Sequence, residues 1–524
     1  ETNRPGRWFG DGAKELGLVG EVTEDVFGNL LRGLSIDGKE TWVKGPTDPS
    51  KQRRAGVDCS IHLSKSASAF WSQGSPHERK KLIEAAERAV DKTLGVLTAF
   101  CGSARRGHLG LKTEKAKLAA AIFQHDTARP VPGSVPDPHI HFHCVFINIA
   151  VRKDGSVGAW DARKLFRGGM KHTLGALFRA EFSRELRELG IETHRPEREG
   201  KSGEKAWWFE INAVPKSLCE EMSKRRKAVE KWMRKHGLTG TKAAQRATLE
   251  TRNEKQAFTQ VELDEAWSAI GRAHGFDGAD VKRAFKSLEP TDEATLAVAS
   301  LKQAVKRITQ ERARFSELEL LRYTAEEAQT KGVGIEAIQT VVDRALEQSP
   351  ELVRLKNVCG EKQWTTKEML QVEARMLGSA QRLNSRSDHT LSYAELSNVA
   401  NEFPTLRTEQ RAGLARLCVG ADLACVNGIA GSGKTYMMSV ANLAWKTKGF
   451  DVLGTTLAAK ASQVLQDESG IRSVHIHKLL HAIKRGEEKI TSNTVLVVDE
   501  AGMIGTKILE RLTRIVEDAG AKLV

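Results

Sequence analysis

A chain of 524 residues exceeds what one hydrophobic core can organise and reads as three or four domains. With 28% charged and 40% hydrophobic residues it has the composition of an ordinary soluble protein; no apolar run spans a bilayer, and the opening ETNRPGRWFG has no initiator Met, signal-peptide core or Arg-rich amphipathic leader. A net charge of +14 and a pI near 9.4 favour a polyanionic partner, because neutralised phosphates release counterions.

In chain order, residues 1–255 mix short strands and helices. GLVGEV and VDCSIHLS read as extended, and ERKKLIEAAERAVDKTLGVLTAF has the 3.6-residue apolar spacing of a helix. PDPHIHFHCVFIN follows, with His139, His141 and His143 at alternate positions of a segment otherwise patterned as a buried strand. Side chains alternate faces along a strand, so the imidazoles share one face while Ile140, Phe142, Cys144 and Phe146 share the other. KSGEKAWWFEINAV is a further strand candidate, and SKRRKAVEKWMRKHG sets Lys224, Arg225, Arg226, Lys227, Lys231, Arg234 and Lys235 on one predicted helix. Residues 256–395 are almost wholly helical in pattern, as in ATLAVASLKQAVKRITQERARF and IEAIQTVVDRALEQ, and include a candidate helix-turn-helix with a small strand wing over ELVRLKNVCGEKQWTT. From 396 apolar strands alternate with helices, the α/β pattern of a parallel sheet. The seven cysteines are dispersed with no C-x-x-C pair, which argues against a disulfide framework or a thiolate zinc site and suits a reducing cytoplasm.

Two segments carry chemistry. In LACVNGIAGSGKTYMMSVANLAW, Gly428, Gly433, Lys434 and Thr435 satisfy G-x-x-x-x-G-K-[ST], with Gly431 and Ser432 inside the loop. Such glycines turn backbone N–H groups toward phosphate oxygens, Lys434 reaches the β/γ-phosphates of ATP, and the Thr435 hydroxyl faces Mg²⁺. A strand over Leu423 to Val426 is expected to enter the loop, and a helix to leave it with its positive end at the phosphates. Downstream, NTVLVVDEAGMIG is a buried strand ending in Asp499, expected to hold the Mg²⁺ through water, and Glu500, expected to orient the attacking water. Gln410, at the head of the helix in LRTEQRAGLARL, is a candidate reader of the adenine edge. The other segment is the histidine strand. With His125, which ends the apolar run of AAAIFQHDTARP, the residues His141 and His143 make a three-imidazole set suited to a divalent cation with open positions; imidazole alone does not choose among the metals.

The set TEQRAGL, GIAGSGKT, GTTLAAKAS and VVDEAGMIG resembles the first motor domain of RecD-like superfamily-one DNA helicases. That family continues into a Gly-Asp-x-x-Gln sensor and a second motor domain with an arginine finger, which in the family follow the strand matched by AGAKLV, so ATP binding rather than turnover or unwinding is the expectation for these residues. FQHDTARP with DPHIHFHCVFIN resembles the three-histidine motif of MobF-type conjugative relaxases of the HUH endonuclease superfamily. The resemblance implies His125, His141 and His143 as metal ligands, the metal being Mg, Mn or Zn-like, and leaves His139 as a neighbour or a DNA contact. AGVDCSIHLSKSASAFW resembles the segment of that family whose acidic residue orients a ligand histidine and helps take the nucleophile's proton, which falls on Asp58. The period of two agrees, since Asp58, Ser60, His62 and Ser64 share a polar face.

MobF relaxases nick one strand with a tyrosine hydroxyl, leaving a 5′ phosphate on the enzyme and a free 3′ hydroxyl. Their tyrosine precedes the segment matched here by PGRWFG, and the tyrosines of this chain are Tyr323, Tyr393 and Tyr436. The expectation is therefore an internal piece of a longer relaxase–helicase. Its parent would nick a plasmid transfer origin and drive the strand into a recipient with ATP. The piece itself would bind single-stranded and transfer-origin DNA, a divalent metal and ATP with Mg, without nicking. The resemblance further implies a bacterial cytoplasmic location, no membrane insertion, and a type IV secretion coupling protein and accessory relaxosome proteins as partners. Lys224, Arg225, Arg226 and Lys227 are the candidate DNA contacts. The expected architecture is an α+β relaxase domain with a central antiparallel sheet over 1–255, a helical, candidate winged-helix region over 256–395, and an incomplete RecA-like α/β P-loop domain over 396–524. The competing readings are a non-catalytic single-stranded DNA-binding module with an ATP-binding domain, and a rolling-circle replication initiator.

Overall fold

The computed structural model describes residues 5–45, 53–107, 112–197, 206–251, 258–358, 360–429 and 431–524. It resolves into two compact units, one of residues 1–305 with 317–348 and one of 306–316 with 349–524. No helix among the described residues is long and apolar enough to cross a membrane.

The first unit is built on an antiparallel six-stranded sheet. Its strands are β1 (Arg7–Phe9), β2 (Gly56–His62), β3 (Ser103–Arg106), β4 (Lys112–Thr127), β5 (Pro138–Arg152) and β6 (Val157–Gly158). The main path runs β1-β4-β5-β2, with β3 on β4 and β6 on β5. The alternation expected of β5 is formed: Ile140, Phe142, Cys144 and Phe146 are fully buried while His139, His141 and His143 are half-buried. Two helices follow β2, α1 (Lys65–Gln73) and α2 (Pro76–Cys101). A capping box starts α2, Ser75 and Glu78 each accepting from the other's backbone N–H with Pro76 in the first turn. Leu82, Ala86, Val90, Leu94 and Leu97 then recur at helical spacing and join the apolar side of β5 in one core. Further along the opposite face of β5, Ile147 and Ile149 are buried with Leu18, Leu30 and Val43 in a smaller cluster. One face of one strand thus passes from covered aliphatics to open imidazoles, and that leaves the histidines accessible.

The unit continues through α3 (Met170–Glu188), the two-residue strands β7 (Thr193–His194) and β8 (Glu210–Ile211), α4 (Lys224–Lys235), α5 (Gln260–Ala273), α6 (Glu317–Ala328) and α7 (Ile335–Gln348). Of the strand expected over KSGEKAWWFEINAV, residues 201–205 lie outside the described residues and the remainder contributes β8. Trp267 of α5 is 1% exposed in the core beneath the sheet, its indole donating to the Pro136 carbonyl at 2.9 Å, so this core extends past residue 255.

The second unit holds the short antiparallel hairpin of β9 (Leu352–Arg354) and β10 (Trp364–Thr366), the strands expected of the wing; the helices expected before it, α6 and α7, lie in the first unit. Then come α8 (Thr408–Cys418), α9 (Lys434–Thr447), β11 (Asp451–Thr456), β12 (Arg472–His475), β13 (Thr494–Val498) and β14 (Lys522–Leu523). The four strands form a parallel sheet in the order β12-β11-β13-β14. The strand expected over Leu423 to Val426 is reduced to one parallel bridge, Leu423 with Leu523, because the neighbouring β14 offers two residues of ladder.

Candidate metal and nucleotide sites

Register decides what the open face of the first sheet presents. His125 on β4 and His141 on β5 are direct cross-strand partners; so are His62 on β2 and His141, and Ser60 and His143. The rings of His125, His141 and His143 therefore meet: centroids are 5.3 Å apart for His125 and His141, and 5.2 Å for each with His143, whose ring stands at 87° and 70° to the others.

Two of these rings have a fixed tautomer. His143 donates from Nδ1 to Asp58 Oδ2 at 2.6 Å, and His141 from Nδ1 to the His139 carbonyl at 2.9 Å. A carbonyl or a carboxylate accepts, so the proton stays on Nδ1 and the Nε2 lone pair is left for a cation. Ser60 supports the pair, its hydroxyl 3.2 Å from Asp58 Oδ2 and 3.4 Å from His143 Nδ1. Burial, together with the neighbouring histidines, holds His141 below the ordinary imidazole range, which favours the neutral, ligating form.

His62 and His139, which the sequence reading did not assign to metal, stack on the same face. Their centroids are 5.1 Å apart, and those of His141 lie 5.3 Å from His62 and 4.9 Å from His139. Desolvation by the rings and strands packed around them is the first cause depressing both, His62 to about 4 although part of its surface is open to solvent, and His139 further. The signal for His62 was present in the period of two that put it beside Asp58; the missing information was the pairing of β2 against β5.

The basic helix α4 is formed, but its first residues are engaged internally. Lys224 donates from its backbone N (2.7 Å) and Nζ (3.1 Å) to Asp137, 4% exposed in the turn before β5. Arg225 donates to the carbonyls of Thr251 and Thr248 and to the Thr251 hydroxyl. Arg226 and Lys227 are exposed, paired with Glu230 and Glu221 respectively. Of the tyrosines, Tyr323 is 6% exposed in the first unit, while Tyr393 and Tyr436 belong to the second.

In the second unit the glycine loop turns at Gly431 (φ 77°) and Gly433 (φ 78°), left-handed conformations a side chain would strain. The N-terminus of α9 begins at Lys434, whose Nζ donates to the Gly428 carbonyl at 2.8 Å and to that of Ile429 at 3.4 Å. Gln410, at the start of α8, spends both ends of its amide: Nε2 donates to the Ser432 carbonyl at 3.0 Å and Oε1 accepts from Arg407 N at 2.9 Å. Gln410 and Ser432 line a cleft of about 350 Å³ with Thr405, Arg407, Gly431, Gly433 and Tyr436. Thr435 is half-buried in the first turn of α9. At the end of β13, Asp499 accepts from Glu500 N at 3.0 Å, and Glu500 is exposed in the left-handed region at φ 55°. Parallel strands deliver such residues to their C-terminal ends, where ligands of α/β sheets bind.

Comparison with known proteins adds the following. A family model described as TrwC relaxase matches residues 1–274, and one described as an AAA domain matches residues 405–524. The chain is 36% identical over 184 residues to a conjugal transfer protein TraA of Agrobacterium fabrum, covering 34% of this chain and 17% of that protein. It is 26% identical over 357 residues to the multifunctional conjugation protein TraI of Escherichia coli, covering 65% of this chain and 19% of that protein. The chain thus spans less than a fifth of the length of these curated relatives. Among solved structures, a metal-bound conjugative relaxase TrwC in complex with oriT DNA is similar at 28% identity and a TM-score of 0.46, covering 52% of this chain and 90% of that one.

Proposed function

The chain belongs to the TrwC relaxase family, and from that premise we propose that its first unit presents a divalent-metal site for the phosphodiester backbone of single-stranded transfer-origin DNA, and its second unit an ATP–Mg site of a conjugative relaxase–helicase. The observation that carries the reading is the meeting of His125, His141 and His143, with Asp58 and the His139 carbonyl fixing the tautomers of two of them. The donor set fits a cation: three imidazoles supply nitrogen donors on a half-buried face. A divalent ion bound there would polarise a phosphate oxygen and stabilise the charge that develops on it.

The chain's own part is positioning. Asp58 holds His143 and would take a proton from an incoming hydroxyl; the β5 backbone holds His141; and the exposed basic side chains of α4, Arg226 and Lys227 foremost, would meet the phosphates that follow. In the second unit Lys434 and the loop N–H groups would cradle the phosphates, Thr435 and Asp499 would hold Mg²⁺, Glu500 would orient water, and Gln410 would exchange Ser432 for the base. The functional division into a relaxase part over 1–255, a connecting part over 256–395 and a motor part over 396–524 belongs to the same proposal. Tyr323 is buried and offers this face no nucleophile, and the 524 residues are proposed to bind without cleaving.

Labelled single-stranded DNA of transfer-origin sequence tests this. The expected result is binding that weakens steeply with salt and no protein–DNA adduct on a denaturing gel. An adduct formed by these residues would overturn the non-cleaving assignment, and absence of binding at low salt would overturn the DNA site.

A further inference from the structure

The open face of the first sheet carries five imidazoles where three suffice for one cation. His141 stands at their centre. His125 on β4 and His62 on β2 are its cross-strand partners on either side, and His139 and His143 lie two residues away along β5 in either direction. The rings therefore form two triangles on opposite diagonals with His141 common to both. One is the His125–His141–His143 set, with sides of 5.2 to 5.3 Å. The other is His62–His139–His141, with sides of 5.1, 5.3 and 4.9 Å, and one ring nitrogen from each of its members lies within 4.8 Å of those of the other two. A cation ligated at about 2.1 Å holds neighbouring imidazole nitrogens about 3.0 to 3.4 Å apart, depending on the coordination angle. Side-chain rotation closes the difference without moving the strands, since His62 is exposed and the other two are half-buried.

Stacking of flat rings is the plainer explanation, and the second triangle is indeed nearly parallel, at 11°, 13° and 23° between planes. Stacking does not require imidazole at all three positions, however, and here each of the three rings brings a nitrogen within 4.8 Å of the others. One further constraint couples the triangles. His141 Nδ1 is committed to the His139 carbonyl, so the ring has a single nitrogen to give.

We propose that His62, His139 and His141 form a second metal seat, selective for late first-row divalent ions such as Ni²⁺, Cu²⁺ and Zn²⁺, and that the two seats exclude each other through the one free nitrogen of His141. All-imidazole donors select these ions over Mg²⁺ and Ca²⁺. An ion in the second seat withdraws His141 from the first, so filling one seat empties the other. Only the exclusion rests on the function proposed above; the second seat stands without it.

The test is calorimetric titration of the untagged, EDTA-stripped 524-residue chain with Ni²⁺. The wild type is expected to take up one ion. The H125A/H143A variant retains one ion through the second seat, H62A/H139A retains one through the first, and the fourfold variant binds at least 100-fold more weakly. If H125A/H143A binds no ion while H62A/H139A does, the second seat is overturned and the first stands. Loss in H62A/H139A alone supports the second seat and overturns the first. Two ions on the wild type would overturn the exclusion. Circular dichroism of each apo variant checks folding, and H125N/H143N and H62N/H139N, which keep side-chain volume and polarity, replace any alanine pair that fails to fold.

Discussion

At the scale of single residues, Asp58 shows how much of the histidine cluster is set by hydrogen bonding. Its carboxylate is exposed, yet it reaches across from β2 to His143 at 2.6 Å and so decides which nitrogen that ring can offer. Removing such a partner typically costs about 10- to 100-fold in metal affinity. D58A in the H62A/H139A background, where one seat remains, is expected to weaken Ni²⁺ binding by roughly 10-fold, toward the low end because the Ser60 hydroxyl at 3.4 Å can still accept from Nδ1. Competition against a chromophoric chelator measures it, and unchanged affinity would show that Asp58 does not orient the ring. The three histidines and the glycine loop were legible because their spacing is local. His62 was not assigned, since its neighbours on the histidine face are set by the pairing of β2 with β5, separated from it by more than seventy residues of chain. For Lys224 and Arg225 the sequence records charge and not partners; the structure pairs them with Asp137 and Thr251.

At the scale of elements, α3 and α7 are joined by one buried carboxylate. Glu181 has no exposed side-chain surface, accepts from the Ile335 N–H at 2.6 Å at the start of α7, and pairs with Arg184 at 2.7 Å and Lys92 at 3.1 Å. In E181A, Arg184 keeps Glu185 and Glu188, and Lys92 keeps Glu336, so the orphan is the buried amide. Its desolvation of about 1–3 kcal/mol, with up to about 1 kcal/mol from the lost charge at the helix N-terminus, gives an expected destabilisation of about 3 kcal/mol in denaturant unfolding of the first unit. Burial alone would raise the carboxyl, but the Ile335 N–H, Arg184 and Lys92 bring it below its ordinary value. A depressed carboxyl contributes stability above its unfolded value of about 4.5 and loses it as pH falls through the folded one. E181Q is therefore expected to flatten that acid limb while costing less than E181A; an unaltered limb would assign acid sensitivity elsewhere. Helix α7 itself was readable to the residue, because IEAIQTVVDRALEQ carries its own period. The near half of β4 was not: KTEKAK is polar, and only its ladders with β3 and β5 make it a strand. Pairing across long sequence separations leaves no period to read.

At the scale of the whole molecule, each unit has its own core, Phe142, Phe146 and Trp267 in one and Trp445, Val440 and Val495 in the other, so ligand binding has a separate free-energy reservoir in each. A ligand that binds only folded protein stabilises by RT ln(1 + [L]/Kd), about 2.7 kcal/mol at 100 times Kd. Calorimetry of the chain is expected to show two transitions. ATP with Mg²⁺ should raise that of the second unit by this amount, and Ni²⁺ that of the first. The nucleotide must draw Lys434 away from the Gly428 and Ile429 carbonyls, which offsets part of its binding energy; K434A releases the loop from that clamp and also deletes the cation that meets the β/γ-phosphates. The second effect dominates, because a phosphate charge left without its ammonium costs more than two exchanged carbonyl bonds. K434A should therefore leave the nickel-dependent shift intact and abolish the nucleotide-dependent one. Movement of both transitions with ATP in the wild type, or persistence of the ATP shift in K434A, would refute the assignment of the nucleotide to this loop.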